Sequence, residues 1–264
     1  MINLDGAVVI VTGSASGTGA ATALCLAGKG ANVVVNYSRS KEKAEEVANS
    51  CSQLGGEVLV QKADVAKDED CRLLAKVSLD RWGKIDGLVN NAGTTQFCPH
   101  HDLEGLSAED FQKIYGVNTI GPFQMVRAVA ATMQERGKGA VVNVSSVAGT
   151  QSIGSSLAYI GSKGALNAIT IALARTLGPE IKVNAVCPGY IESGWHRRGI
   201  GEKATDRMVE AMKKNTPLQA ISSPKDIADT GTIVLRSTNI QNGLMDYQNI
   251  VRVKKKIKDK KKGF

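Results

Sequence analysis

AVVIVTGSASGTGAATALCLAGKG, residues 7–30, decides how the rest of the chain reads. Its opening AVVIVTG (7–13) is an apolar, β-branched run closed by glycine, the pattern of a strand buried on both faces. GSASGTG (13–19) follows, and then the helical segment ATALCLAGKG. Gly13, Gly17 and Gly19 therefore stand between a first strand and a first helix. Their spacing is G-x-x-x-G-x-G rather than G-x-G-x-x-G, but the physics is shared. Glycines let the backbone approach a diphosphate, and the helix N-terminus faces its negative charge. Alone, such a triplet also describes a flexible turn, so the units that follow carry the argument.

They alternate. GANVVVNY (30–37) reads as a second strand, and KEKAEEVANSCSQLGG (41–56) as a helix closed by two glycines. EVLVQKADV (57–65) is a third strand, followed by a helix through about Arg81; IDGLVNNAG (85–93) is a fourth strand running into a turn. Residues 108–139 read as a long helix interrupted by Gly-Pro at 121–122. GAVVNVSS (139–146) and IKVNAVCPG (181–189) are the fifth and sixth strands, with a long helix over 157–178 between them. This order predicts one α/β domain over 1–253, a doubly wound parallel sheet with helices on both faces. The polar segment 190–223 reads as loop-like, with one amphipathic piece near 203–214. It follows the sixth strand, where a ligand crevice should open, so it is expected to be a substrate lid rather than a surface excursion.

VSSVAGTQSIGSSLAYIGSK (144–163) carries the reactive groups. Tyr159 and Lys163 stand four apart, one turn along a helix face. An ammonium beside a phenol favours phenolate and draws the tyrosine pKa down from about 10, toward proton exchange near neutral pH. Ser146 lies at a strand end thirteen residues before Tyr159. A Tyr-x-x-x-Lys pair is common by itself; the serine at that place sharpens it.

Composition sets limits. With 264 residues the chain can bury a full core as one domain. No basic segment precedes the first apolar run, so no signal peptide is expected, and no run of ~18 apolar residues predicts a membrane span. Five scattered cysteines (25, 51, 71, 98, 187) read as reduced thiols of a cytoplasmic protein. Of the net charge of +8, the stretch from Arg252 onward holds +7, leaving +1 on the 251 residues before it. Nucleic acid or another polyanion is thus a partner only through the lysine-rich tail 254–264, which is expected to be disordered. His100 and His101 lack a third ligand, so no metal site is expected.

The second strand's end should choose the cofactor. A carboxylate there would bond a ribose 2′-hydroxyl and favour NAD(H). The chain has Asn36, Tyr37, Ser38 and Arg39 instead. Ser38 and Arg39 can hold a 2′-phosphate, so NADP(H) is expected over NAD(H), which stays admissible.

TGSASGTG (12–19), ADV (63–65), NNAG (90–93), VN (117–118), VSS (144–146), Y-x-x-x-K (159–163) and PG (188–189) stand in one order and spacing, and with them the chain resembles the short-chain dehydrogenase/reductases from its N-terminus to about residue 230. WGKIDGLVNNAG and VNAVCPGYI are similar to the 3-oxoacyl-acyl-carrier-protein reductases and related carbonyl reductases. The resemblance implies Tyr159 as catalytic acid/base and Lys163 as the residue that holds the nicotinamide ribose and lowers the tyrosine pKa. It implies Ser146 on the substrate oxygen and Asn118 positioning a water for proton relay. Gly13, Ser14, Ser16, Gly17 and Gly19 match the phosphate loop, and Asp64 with Val65 the adenine pocket. Asn91, Ala92 and Gly93 match the turn beside ribose and nicotinamide, and Pro188, Gly189, Ile191 and Ser193 the segment against the nicotinamide. It further implies a homotetramer or homodimer. The expected activity is interconversion of a ketone or 3-oxoacyl group and its secondary alcohol. A non-catalytic dinucleotide sensor on the same fold, or polyanion binding through the tail, are the alternatives.

Two departures stand out. Glu180 follows the Tyr–Lys helix, in a turn where carrier-protein reductases often have arginine, and it would repel an acidic carrier. IQNGLMDYQNIVRV (240–253) replaces the family's T-G-Q…V-D-G-G ending. Natural divergence and a reading-frame change near residue 230 both fit that loss; residues 244–253 keep enough apolar side chains for an edge strand. Trp195, His196, Arg197 and Arg198 in the lid fit an anionic or aromatic substrate, or a solvated surface.

Overall fold

Val8–Val11 forms β1, and all four residues are buried. Alternate side chains point to opposite faces of the sheet. Val9 and Val11 pack with Val33, Val35, Ala23 and Ala44 on one side. Ile10 packs with Val34, Leu88, Val141 and Val183 on the other. Both faces are covered by helices, which is why the strand sequences are continuous apolar runs. In this computed structural model, residues 4–215 and 219–230 are described, together with the backbone of 234–235, 240–241 and 244–245.

The remaining parallel strands are β2 (Asn32–Tyr37), β3 (Val58–Lys62), β4 (Gly87–Asn90), β5 (Gly139–Val144) and β6 (Ile181–Val186). They lie in the order β3-β2-β1-β4-β5-β6. The chain winds outward from β1 to β3, returns to β4 and winds the other way, so the strand order reverses between β1 and β4. A ligand crevice forms beyond the carboxyl ends of the strands at such a point. β7 (Val234–Leu235) pairs antiparallel with β6, Val186 opposite Val234. β8 (Ile240–Gln241) and β9 (Leu244–Met245) pair with each other in a separate two-stranded sheet. The rest of the 244–253 stretch and the lysine-rich tail lie outside the described residues.

Three helices cover the faces early in the chain: α1 (Gly17–Ala27), α2 (Lys41–Ser52) and α3 (Asp68–Trp82). After β4 the chain forms α4 (Ala108–Tyr115), a π-helical turn at Gly116–Ile120, and α5 (Gly121–Glu135). The interruption thus falls one turn before the Gly-Pro pair. Pro122 has no N–H to offer the carbonyl of Asn118 four residues back, and its ring would crowd it; the wider turn relieves this, with Asn118 inside it.

A short α6 (Ala148–Gln151) leads to α7 (Leu157–Leu177). By length and average composition α7 is apolar enough to cross a membrane. No unbroken apolar run exists in it, however, since Ser162, Lys163, Asn167 and Thr170 interrupt it, and all four are buried. It is a core helix packed on β6 and α6. The segment after β6 is more regular than its polar sequence suggests. Ser193 caps α8 (Gly194–Ile200), accepting from the Trp195 N–H. Gly201, at φ +82, ends that helix and starts α9 (Glu202–Asn215). The chain returns beside its starting point, where the Glu192 N–H donates to the Ser222 carbonyl, before α10 (Pro224–Thr230).

Candidate active site

A cleft of about 1950 Å³ opens at the carboxyl ends of the strands. Its floor begins at the glycine loop. Gly13 and Gly17 have φ of +63 and +58, which L side chains rarely adopt. A Cβ on Gly19 would stand 2.6 Å from the Gly13 carbonyl oxygen and 2.9 Å from Ser14 Cα, so only glycine lets the loop close on α1. Ser16 precedes α1 with extended backbone and no side-chain cap, and no acid occupies the first turn. The first amides of α1 are therefore left for an anion.

The neighbouring side chains brace this loop. Asn36 is 2 % exposed. Its Oδ1 accepts from the Gly13 N–H at 2.9 Å, and its Nδ2 donates to the Gln61 and Ala63 carbonyls. Ser14 is fully buried, donating to the Val11 carbonyl and accepting from the Asn36 N–H. Thr12 Oγ1 accepts from the N–H groups of both Asn91 and Ala92 at 3.0 Å. Asn91 Nδ2 donates to the carbonyls of Thr12 and Gly13. The two sides of the switch point are thereby sewn together. Ser16, Gly17, Ser38, Arg39, Asp64, Val65, Asn91, Ala92 and Gly93 all line the cleft; Ser14 and Gly19 lie beneath it.

Further along, Ser146, Tyr159, Lys163, Pro188, Gly189, Ile191 and Ser193 form the walls. The two adjacent serines separate cleanly. Ser145 is buried and donates to the Lys163 carbonyl. Ser146 faces the cleft beside Tyr159, its hydroxyl accepting from the Ala148 N–H at 3.1 Å. Ser156 caps α7 by accepting from the Tyr159 N–H, which fixes the first turn that presents the phenol. Lys163, 3 % exposed, sends its Nζ to the Val144 carbonyl at 2.8 Å, 5.8 Å from the centre of the Tyr159 ring.

The electrostatics differ from the simple expectation. Burial is the larger effect on Tyr159 and pushes its phenol above the ordinary value, while the neighbouring Ser146 hydroxyl pulls it back. Burial pushes the Lys163 ammonium down to about 8. The lysine is thus a desolvated cation, and burial rather than its charge sets the direction of the phenol's shift.

Asn118 stands behind this wall. Its Oδ1 accepts from the Thr94 N–H at 2.8 Å, and its Nδ2 donates to the Thr94 carbonyl and to Ser162 Oγ. Ser162 in turn donates to the Tyr159 carbonyl. The side chain of Asn118 is a brace joining the π turn, the loop after β4 and α7. The model for short chain dehydrogenases matches residues 7–203.

The chain belongs to the short-chain dehydrogenase family. It is an NAD(P)-dependent oxidoreductase of that family. Ketoacyl reductase 2 of the granaticin polyketide synthase of Streptomyces violaceoruber is 39% identical over 231 residues, 88% of this chain and 90% of the relative. The 3-oxoacyl-[acyl-carrier-protein] reductase of Synechocystis sp. is 33% identical over 231 residues, 87% of this chain and 89% of the relative. A solved structure of NAD+-bound xylitol dehydrogenase superposes with a TM-score of 0.78 at 31% identity, covering 86% of this chain and 91% of that one. Among the described residues no cluster of three or more His, Cys, Asp or Glu could hold a metal.

Sequence reasoning passed over Thr12, Thr94 and Ser162, each a short polar residue beside a motif. Nothing in their identity distinguishes them from ordinary turn and helix residues. It also passed over Phe97, Tyr190, Met208 and Met212, which reach the cleft from three separate segments.

Proposed function

We propose that the protein is an NADP(H)-dependent reductase that interconverts a ketone or 3-oxoacyl group and its secondary alcohol. One observation carries this: Ser146, Tyr159 and Lys163 meet on one wall of a cleft whose other end is a glycine loop with unpartnered helix amides. The open backbone at Gly13, Gly17 and Gly93 fits a dinucleotide laid from α1 to Tyr159. When bound, the nicotinamide supplies or accepts the hydride.

The chain's own residues do the rest. Ser146 Oγ and Tyr159 Oη hold the substrate oxygen as charge develops on it. Tyr159 Oη gives that oxygen its proton in the reducing direction and takes it back in the other. Lys163, still an ammonium at neutral pH, is placed to hold ribose hydroxyls and to favour phenolate once the phenol has given up its proton. Asn118 holds the π turn, and its backbone carbonyl, denied a partner at Pro122, is the natural place for a relay water. Ser38, Arg39, Asp64 and Val65 line the end of the cleft beside β2 and β3; there Ser38 and Arg39 would hold a 2′-phosphate, and Asp64 and Val65 would flank the adenine. Asn36 is spent on the loop, and no carboxylate stands at the end of β2 to accept from a 2′-hydroxyl; this supports NADP(H) over NAD(H).

The helix pair α8–α9 serves as the substrate lid. Phe111, Ile120 and Phe123 are exposed on α4, the π turn and α5, which supports a homodimer or homotetramer built on that face. Five free cysteines fit a cytoplasmic location. The test is consumption of NADPH and of NADH with ketones, diketones, sugars, steroids and 3-oxoacyl thioesters. Turnover with at least one carbonyl supports the reading. Tight cofactor binding with no turnover on any would replace it with the sensor.

A further inference from the structure

The rings that line the cleft all stand at one end of it. The chain has few aromatic residues, four Phe, two Trp and five Tyr. Four of them, Phe97, Tyr159, Tyr190 and Trp195, line this cleft, and none lies at the glycine-loop end. Trp195 meets Tyr159 edge-on, centroids 6.3 Å apart at 68°. Its indole tip reaches the turn after β4, where a Cβ on Gly93 would come within 3.6 Å of it. His196 extends the wall, 5.5 Å from Phe97 and 4.8 Å from Tyr190. The Phe97 ring lies so close to the backbone of α8 that any Cβ on Gly199 would overlap it. Met208 and Met212, one turn apart on α9, close the same end with polarizable side chains.

Little uncommitted charge faces this end: the Lys163 ammonium, beside Tyr159, donates to the Val144 carbonyl. Arg197, which the sequence offered as an anion receptor, is committed to Glu202 and Asp206 within the lid. Burial pulls His196 below its ordinary pKa, leaving a neutral imidazole as a third face. The carboxylates that line the cleft, Asp64 and Asp70, lie beside β3 at the other end. Arg198 is exposed at the rim.

We propose that this end is a slot for a flat, neutral aryl ketone of two or more fused rings, and that Phe97 and Trp195 select it over an open-chain 3-oxoacyl group. The inference rests on the reductase reading above and names its substrate class. Rings packed edge-on and tilted against one another along the cleft wall reward a further π face, whereas a flexible acyl chain gains only buried area and must be ordered.

The experiment compares α-tetralone with an open-chain 3-oxoacyl thioester of similar size, with both cofactors. The expected kcat/KM ratio favours the ketone by about tenfold or more, and Phe97→Leu lowers that ratio about fivefold. Binding is read separately in a Trp82→Phe, Tyr159→Phe protein, where Trp195 is the remaining tryptophan and its fluorescence should be quenched by α-tetralone. An open-chain substrate used equally well or better, a ratio unmoved by Phe97→Leu, or no quenching would overturn the slot while leaving the reductase intact. Quenching without reduction of either compound by the Tyr159 protein would overturn the reductase reading and leave the slot.

Discussion

Replacing Lys163 with methionine should make the protein more stable at neutral pH while removing its activity. The ammonium is 3 % exposed, and the hydrogen bond shown for it is to the Val144 carbonyl. Burial lowers its pKa from 10.5 to about 8. A drop of that size means the folded protein carries a cost of about 3 kcal/mol for the charged form at pH 7. The sign follows from proton counts. Below about pH 8 both folded and unfolded chains hold the proton, and the whole cost falls on the folded state. Between about pH 8 and 10.5 the folded state releases it first, so stability rises with pH.

Methionine fills similar volume without charge but leaves the Val144 carbonyl unpaired, which returns about 1–2 kcal/mol. The net gain at pH 7 is therefore about 1–2 kcal/mol, or roughly 2–8 °C in Tm for a chain of this size. Between pH 7 and about pH 9.5 the wild-type cost shrinks by about 2 kcal/mol, so the advantage should vanish there. Thermal or urea unfolding of the cofactor-free proteins at both pH values is the assay. A methionine variant less stable at pH 7, or a difference that does not change with pH, would refute the reasoning.

Three other outcomes follow from the site and the surface. Arg39→Ala should weaken NADPH binding about ten- to a hundredfold and leave NADH binding nearly unchanged, as titration of both would show. Gly19→Ala forces a Cβ against the Gly13 carbonyl and Ser14 Cα, so it should lower Tm and reduce affinity for either dinucleotide about tenfold or more. Phe123→Glu places a charge on the exposed apolar face of α5, and light scattering should find a smaller species than the wild type.

The strand–glycine–helix opening and the six alternations were legible because the central strands are covered on both faces, so burial writes itself as apolar runs such as the VVIV of β1 and the VVV within β2. Tyr159 and Lys163 were legible because a helix turns their spacing into a shared face. What the sequence could not carry was anything set by contact between distant segments. Asn36 was legible only as the place of a missing carboxylate and is a buried brace for Gly13. The Tyr159 phenol is governed by the dryness of its wall more than by the lysine one turn away. Gly121 and Pro122 marked a break in the long helix, but the widened turn lies before them, because proline withdraws its hydrogen bond from a residue four positions earlier. In the segment after β6 the amphipathic piece near 203–214 marked α9, but α8 read as loop because it is short and polar, and its aromatic residues gain meaning only when it brings them opposite Phe97.

The central claim is that Tyr159 moves the proton in carbonyl reduction. Its most direct test is the Tyr159→Phe protein, measured for NADPH affinity and for steady-state reduction of whichever ketone the wild type uses best. Loss of the hydroxyl alone should leave cofactor affinity within about twofold and reduce kcat by about a hundredfold or more. A variant that keeps a tenth or more of wild-type kcat would contradict the assignment.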